Sequence, residues 1–160
     1  MQPTHGHVRG ATFLGRLTND AQEDGVQQLV VGAIVHHDDK VLLLKRPQDD
    51  FMGGILELPS GKVENESLDE ALHREVNEET GLRVSNITDY LGHFDYLSGG
   101  GKKSRQFNFA VDVDAPEPIE LQEHDAYLWS PLHEEPPVTD AVKGVLSRYR
   151  DLHATSRTTL

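Results

Sequence analysis

Residues 73–82 read HREVNEETGL, and the three glutamates of that run, Glu75, Glu78 and Glu79, fall in what reads as the second half of a helix. The helix has clear ends. Ser67, with Glu70 three residues on, fits a capping box, in which the serine side chain accepts from a free backbone N–H and the glutamate reaches back to the cap. Gly81 followed by Leu82 fits a left-handed stop with its hydrophobic contact. Counted at about 100° per residue from Leu68, the residues Ala71, Leu72, Val76 and Leu82 share one sector, which the pattern makes the buried face. Asp69, Glu70, His73, Arg74, Asn77 and Thr80 take the solvated side. Glu75 and Glu79 fall inside the apolar sector, and Glu78 borders it.

A run of glutamates is ordinarily a solvated face, but these angles argue otherwise. Like charges three and four residues apart cost about 0.2–0.5 kcal/mol per pair, and anions near a helix C-terminus oppose its macrodipole. The arrangement makes sense if a divalent cation neutralises it. Hard oxygen ligands on one helical face can hold Mg²⁺ and leave positions for water and phosphate.

Upstream, QLVVGAIV, HHDDK and VLLLKR read as two apolar strands around a polar turn, closed by Pro47. A loop of turn formers, RPQDDFMGG, leads to a short apolar piece, ILEL, and then to a second loop, PSGKVENES. Downstream, ITDYLGHFDY and RQFNFAVDV flank SGGGKKS as a long hairpin with a glycine-rich tip. HDAYLWSP reads as another strand, and TDAVKGVLSRYRDL as a closing amphipathic helix with Val142, Val145, Leu146 and Tyr149 on one side. Strands and helices mix without strict βαβ alternation, which predicts an α/β fold, a mixed sheet with helices on both faces. Residues 1–27 read as a loose lead-in with at most a short strand around Thr12 to Leu17, residues 28–152 as a single domain, and residues 153–160 as a flexible tail.

At 160 residues the chain is long enough for one domain with a hydrophobic core. It contains no cysteine, which removes thiolate chemistry and disulfides and favours a reducing, cytoplasmic location. The longest apolar runs fall far short of a membrane span, and the N-terminus has no apolar signal core. A net charge of -12 opposes binding to nucleic acid polymers or anionic membranes. A phosphorylated small molecule remains admissible if a cation mediates.

The run Gly61-x4-Glu66-x7-Arg74-Glu75-Val76-x-Glu78-Glu79-x-Gly81-Leu82 resembles the Nudix box, GX5EX7REUXEEXGU with U aliphatic, in a loop one residue shorter than usual. LVVGAIV, VLLLKRP, LPSG and EHDAYLW resemble their counterparts in MutT-like members, so the likeness covers roughly residues 28–150. It implies an α/β/α sandwich with a mixed β-sheet. It also implies Mg²⁺- or Mn²⁺-dependent hydrolysis of the pyrophosphate linkage in a nucleoside diphosphate joined to another group. Carried over by position, Glu75, Glu78 and Glu79 are metal ligands, Ser60 offers a backbone carbonyl, and Arg74 with Glu66 forms an orienting ion pair. Glu123, six residues before Trp129, matches a further carboxylate ligand, although Glu120, His124 and Asp125 lie close by and a solvated acidic loop is the plain alternative. The general base stays open between Glu75 and Glu123.

For substrate, Lys45 and Arg46 end a strand leading toward the box, and alternation sends one of them to solvent. Phe51 is a stacking candidate in the loop that follows. SGGGKKSR lacks the spacing of a phosphate-binding P-loop and reads as a hairpin tip, with Lys102, Lys103 or Arg105 reaching phosphate as the alternative. His36 and His37 are sequential and point apart, which argues against a histidine metal site, and Tyr127 with Trp129 reads as core. A nucleoside triphosphate is the expected substrate. ADP-ribose or nucleotide-sugar hydrolysis is the rival within the family, and a non-cleaving nucleotide sensor the rival outside catalysis. Thr139 stands where the resemblance puts a base-reading asparagine, so the base stays open. So does the oligomeric state, a homodimer included.

Overall fold

The computed structural model of the chain describes residues 11–48 and 53–158. Three helices and seven strands form among them: α1 (Ala11–Glu23), β1 (Gln28–His37), β2 (Lys40–Lys45), β3 (Leu56–Glu57), β4 (Ser60–Lys62), α2 (Leu68–Thr80), β5 (Val84–Leu97), β6 (Lys103–Val113), β7 (Ala126–Pro131) and α3 (Asp140–Thr158). Phe51 lies outside the described residues.

The strands run β3-β2-β1-β6-β5, with β4 pairing β1 and β7 pairing β2. The sheet is mixed: β1 pairs β6 in parallel, while β4 joins β1 and β7 joins β2 antiparallel. Alternation along the strands feeds two cores. Val31, Ala33, Val35, Leu42 and Leu44 face the layer under α2, where they meet Leu68, Ala71, Leu72 and Val76. Ile34, Val41 and Leu43 face the opposite layer, closed by Val142, Val145, Leu146 and Tyr149 of α3. Helices on both faces of a mixed sheet make the expected α/β/α sandwich.

Between Tyr90 and His93 the β5–β6 register shifts, so that Leu91 and Gly92 share the space opposite Asn108. The buried Asn108 side chain donates to the Gly92 carbonyl at 3.2 Å and accepts from Gln106 Nε2 at 2.8 Å, which satisfies polar groups the bulge would otherwise strand.

Three expectations change. Residues 11–23 form a helix rather than a loose lead-in or a short strand. Leu14 and Ala21 are buried in the α2-side core, with Phe13 and Leu17 packed against it and the Phe13 ring meeting Tyr90 edge-on at 5.5 Å. A short, polar helix with a central glycine has little intrinsic propensity, so tertiary burial of one stripe decides it. The glycine-rich hairpin tip forms as expected, but Lys103 and Arg105 tie down this helix rather than reaching for phosphate. Lys103 Nζ donates to the Asp24 carbonyl at 2.6 Å, and buried Arg105 pairs with Asp24 at 3.0 Å and Asp95 at 2.7 Å. At the other end, α3 continues through Thr158 instead of giving way to a tail at residue 153, because no glycine or proline stops it. Among the described residues no helix is long and apolar enough to cross a membrane.

Candidate active site

Helix α2 begins as its sequence requires. Ser67 caps it, its side chain accepting from the Glu70 N–H while Glu70 accepts from the Ser67 N–H at 2.9 Å. Gly81 ends it in the left-handed region at φ 77°, its N–H donating to the Asn77 carbonyl at 2.8 Å. Thr80 departs from the solvated side assigned to it and is fully buried. Its hydroxyl donates to the Val76 carbonyl at 2.6 Å and accepts from the Leu82 N–H at 3.1 Å. A short side chain that satisfies itself within its own turn can be covered, and the covering segment arrives at Glu120, whose N–H donates to the Thr80 carbonyl at 2.8 Å.

Ser60 and Gly61 lie on β4, a short strand where a loop was expected. The Ser60 N–H donates to Glu79 Oε1 at 2.9 Å. A Cβ on Gly61 would overlap the Glu75 carboxylate, so the absence of a side chain there lets α2 lay Glu75 on the strand.

Arg74 organises the cluster. Its Nε donates to Glu66 Oε1 and Oε2, each at 2.9 Å, and Nη2 to Glu66 Oε2 at 2.7 Å and the Lys62 carbonyl at 2.9 Å. Nη1 donates to Glu75 Oε2 at 2.9 Å and Glu78 Oε1 at 3.1 Å. The whole guanidinium fork is engaged, and it welds the β4–α2 loop to the helix. The missing loop residue therefore leaves the Glu66–Arg74 pair intact.

The electrostatics follow from burial and this one cation. Burial above all pushes the Glu79 carboxyl up from 4.5 to about 7; Glu75 and Glu57 add to the rise, and the Ser60 N–H and His124 oppose it. Burial also raises Glu75, against the Arg74 hydrogen bond. The separate Arg74 hydrogen bonds to Glu66 hold that carboxyl below its usual range. Glu78 is the exposed member, its side chain 57% accessible.

These groups open onto a cleft of about 830 Å³ whose wall includes Ser60, Gly61, Glu75, Glu78, Glu79 and Glu123. Glu123 thus comes to the same cleft from 44 residues beyond Glu79. Among the described residues no three acidic or histidine side chains converge tightly enough to hold an ion as they stand. Arg74 and the Ser60 N–H already engage one oxygen each of Glu75, Glu78 and Glu79. The donor set nevertheless fits a hard cation. The ligands on offer are all oxygen, and burial, the main cause of the raised Glu79 carboxyl, makes its charged form costly without a neighbouring positive charge.

Two residues that sequence reasoning did not select stand at the edge of this cluster. Glu57 accepts from Arg46 Nη1 at 3.2 Å on one oxygen and meets His124 Nε2 at 2.7 Å on the other. Burial works against a charged His124, but the Glu57 hydrogen bond and the charges of Glu79, Glu57 and Glu123 outweigh it and raise its pKa. Alternation in ILEL already sets Glu57 on the opposite face from Leu56 and Leu58; its partner, 67 residues away, left no local signal. Through Glu57, Arg46 is linked to His124. Lys45 contributes its carbonyl, which accepts from the Asp125 N–H at 3.0 Å. Tyr127, expected in the core, is 39% exposed on strand β7 with its hydroxyl 3.3 Å from Glu117, while Trp129 packs against the core.

Residues 26–149 match the NUDIX domain model, and the chain belongs to that family. It is a Nudix hydrolase of MutT type. The chain is 33% identical over 102 residues to the CTP pyrophosphohydrolase of Escherichia coli (strain K12), covering 62% of this chain and 73% of that one. It is 39% identical over 68 residues to the 8-oxo-dGTP diphosphatase of Proteus vulgaris, covering 41% of this chain and 61% of that one. The solution structure of the E. coli ORF135 protein superposes with a TM-score of 0.68 at 28% identity, covering 82% of this chain and 95% of the other.

Proposed function

We propose that this protein hydrolyses a nucleoside triphosphate or closely related nucleotide at its pyrophosphate linkage, using Mg²⁺ or Mn²⁺ held by Glu75, Glu78, Glu79, Glu123 and the Ser60 carbonyl. The observation that carries this reading is the gathering of Glu75, Glu78, Glu79 and Glu123 from two distant segments onto one cleft. An acidic chain of net charge -12 would repel a polyphosphate unless a cation intervened. Bound there, a divalent cation supplies positive charge against the phosphate oxygens and acidifies the attacking water.

The protein's own groups do the rest. Arg74, fixed by Glu66, holds Glu75 and Glu78 in place. Glu75 or Glu123 takes the proton as water oxygen bonds to phosphorus, the bridging P–O bond breaks, and the phosphate or pyrophosphate leaving group departs with that bond's electron pair. Arg46, steadied by Glu57, meets the substrate phosphates, with Lys45 and Phe51 as further contacts from the same stretch.

The deciding experiment incubates the protein and Mg²⁺ with a panel of ribo- and deoxynucleoside triphosphates, 8-oxo-dGTP, ADP-ribose and a nucleotide sugar, reading released phosphate and pyrophosphate from the triphosphates and nucleoside monophosphate from the last two. Turnover of a triphosphate that Glu78→Gln abolishes is expected. No turnover of any compound, or full turnover in the variant, overturns the reading.

A further inference from the structure

Residues 123–125, Glu-His-Asp, make three attachments in three consecutive positions. Glu123 lines the carboxylate cleft. The His124 side chain is only 7% exposed and places Nε2 at 2.7 Å from Glu57 Oε2. Asp125 donates its N–H to the Lys45 carbonyl at 3.0 Å and accepts from the Gln48 N–H at 3.3 Å. Glu57 in turn spends its other oxygen on Arg46, 3.2 Å away.

A plain staple between a loop and a strand would account for the His124–Glu57 contact, and an apolar side chain would fill that space at less cost. His124 instead encloses Nδ1 with no hydrogen-bond partner among the described residues. An orphaned buried nitrogen is a cost to stability. The ring atom that is used, Nε2, faces a carboxylate and so carries a hydrogen to donate. It is aimed at Glu57, a carboxylate that already holds Arg46. Departures of this kind concentrate where geometry matters more than stability.

We infer that His124 is a positioning residue: by donating to Glu57 it fixes Glu123 over the metal-facing carboxylates and, through Glu57, sets Arg46 for substrate phosphate. This rests on the metal-dependent reading above. Two consequences follow. Without the donor, the segment carrying Glu123 loses its buried anchor, and affinity for a divalent cation falls. Glu57 is also freed to close on Arg46 with both oxygens, drawing the guanidinium from the substrate.

The test measures Mn²⁺ binding by electron paramagnetic resonance on metal-free protein, without substrate, for wild type, His124→Leu, His124→Gln and His124→Asn. Thermal unfolding of each is recorded in parallel, and KM and kcat at saturating Mn²⁺ follow. The glutamine amide can reach Glu57; the shorter asparagine cannot. Loss of an outer partner of metal ligands weakens affinity by about 10- to 100-fold. That loss is expected for His124→Leu and His124→Asn, with KM raised more than kcat is lowered, and His124→Gln recovers most of both. If His124→Leu fails to fold, the Gln and Asn pair carries the same comparison. Equal Mn²⁺ affinity and equal KM across the variants, whatever their thermal stability, overturn the role of His124 alone. A wild type that binds no Mn²⁺ overturns the metal reading and this inference with it.

Discussion

The Ser60 backbone N–H points at the Glu79 carboxylate from 2.9 Å, so the first residue of β4 and the last turn of α2 share one hydrogen bond. That bond comes from the main chain, so it does not depend on which side chain stands at position 60. It is the larger of the two influences that lower the Glu79 carboxyl, the other being His124, and burial outweighs both.

The consequence for stability has a definite sign. A carboxyl raised in the folded protein makes the folded state bind more protons than the unfolded one between 4.5 and about 7. Its stabilising contribution is complete below 4.5 and is lost as pH rises through about 7. The metal-free protein is therefore expected to lose more thermal stability between about pH 5 and about pH 8 than Glu79→Gln does. Mg²⁺ added at the upper end restores the wild type by mass action and has less effect on the variant. Scanning calorimetry across the range checks both; parallel curves for the two proteins would contradict the assignment.

Gly61→Ala probes the contact between β4 and α2. The added methyl overlaps the Glu75 carboxylate without asking for a forbidden backbone angle, so the fold survives while Glu75 is pushed off the strand. A displacement of about 1 Å at a reacting group can cost about 100-fold in rate. A loss of that order in kcat, with circular dichroism unchanged, is the expected result.

Arg74→Lys keeps the charge and removes the fork. A lysine has no planar pair of donors to serve Glu66 and Glu75 together, so the loop and the helix are held less firmly. Activity is expected to fall by about 10- to 100-fold, with divalent-cation affinity falling alongside. Glu66→Gln should act in the same direction more weakly. Because Glu66 is held below its usual range by Arg74, its contribution is present at neutral pH and lost as pH falls through that lowered value. The glutamine variant thus flattens the acid limb of the stability curve.

Helix α1 bears on stability rather than on chemistry. Leu14 is 5% exposed against the α2-side core, and Leu14→Ala is expected to cost about 2–5 kcal/mol in urea unfolding, with kcat preserved in the folded protein.

Much of the molecule was legible because its signals are local. The capping box at Ser67, the stop at Gly81 and the inward angles of Glu75 and Glu79 are all set within one helix, and each is found where its spacing puts it. Strands β1, β2, β6 and β7 announced themselves through runs of apolar residues. What escaped depended on partners far away in the chain. Residues 11–23 become helical because Phe13 and Leu14 find a core built by other elements. Thr80 is covered by a segment arriving at Glu120. Glu57 lies in a short apolar piece and His124 is one acidic-loop neighbour among several, and nothing in either stretch points to the other. The resemblance to the Nudix box named candidate ligands and the Arg74–Glu66 pair; it said nothing about Glu57 and His124.

The two bonds of Asp125 bear on how such a chain can diversify. Gln48, at the entrance to the loop after β2, leans on the same aspartate that follows His124. A loop fastened in this way is not an interchangeable cassette. Transplanting the stretch after Pro47 from a relative would disturb Asp125 and, one and two residues back, His124 and Glu123. A successful graft there would need to bring residues 123–125 with it.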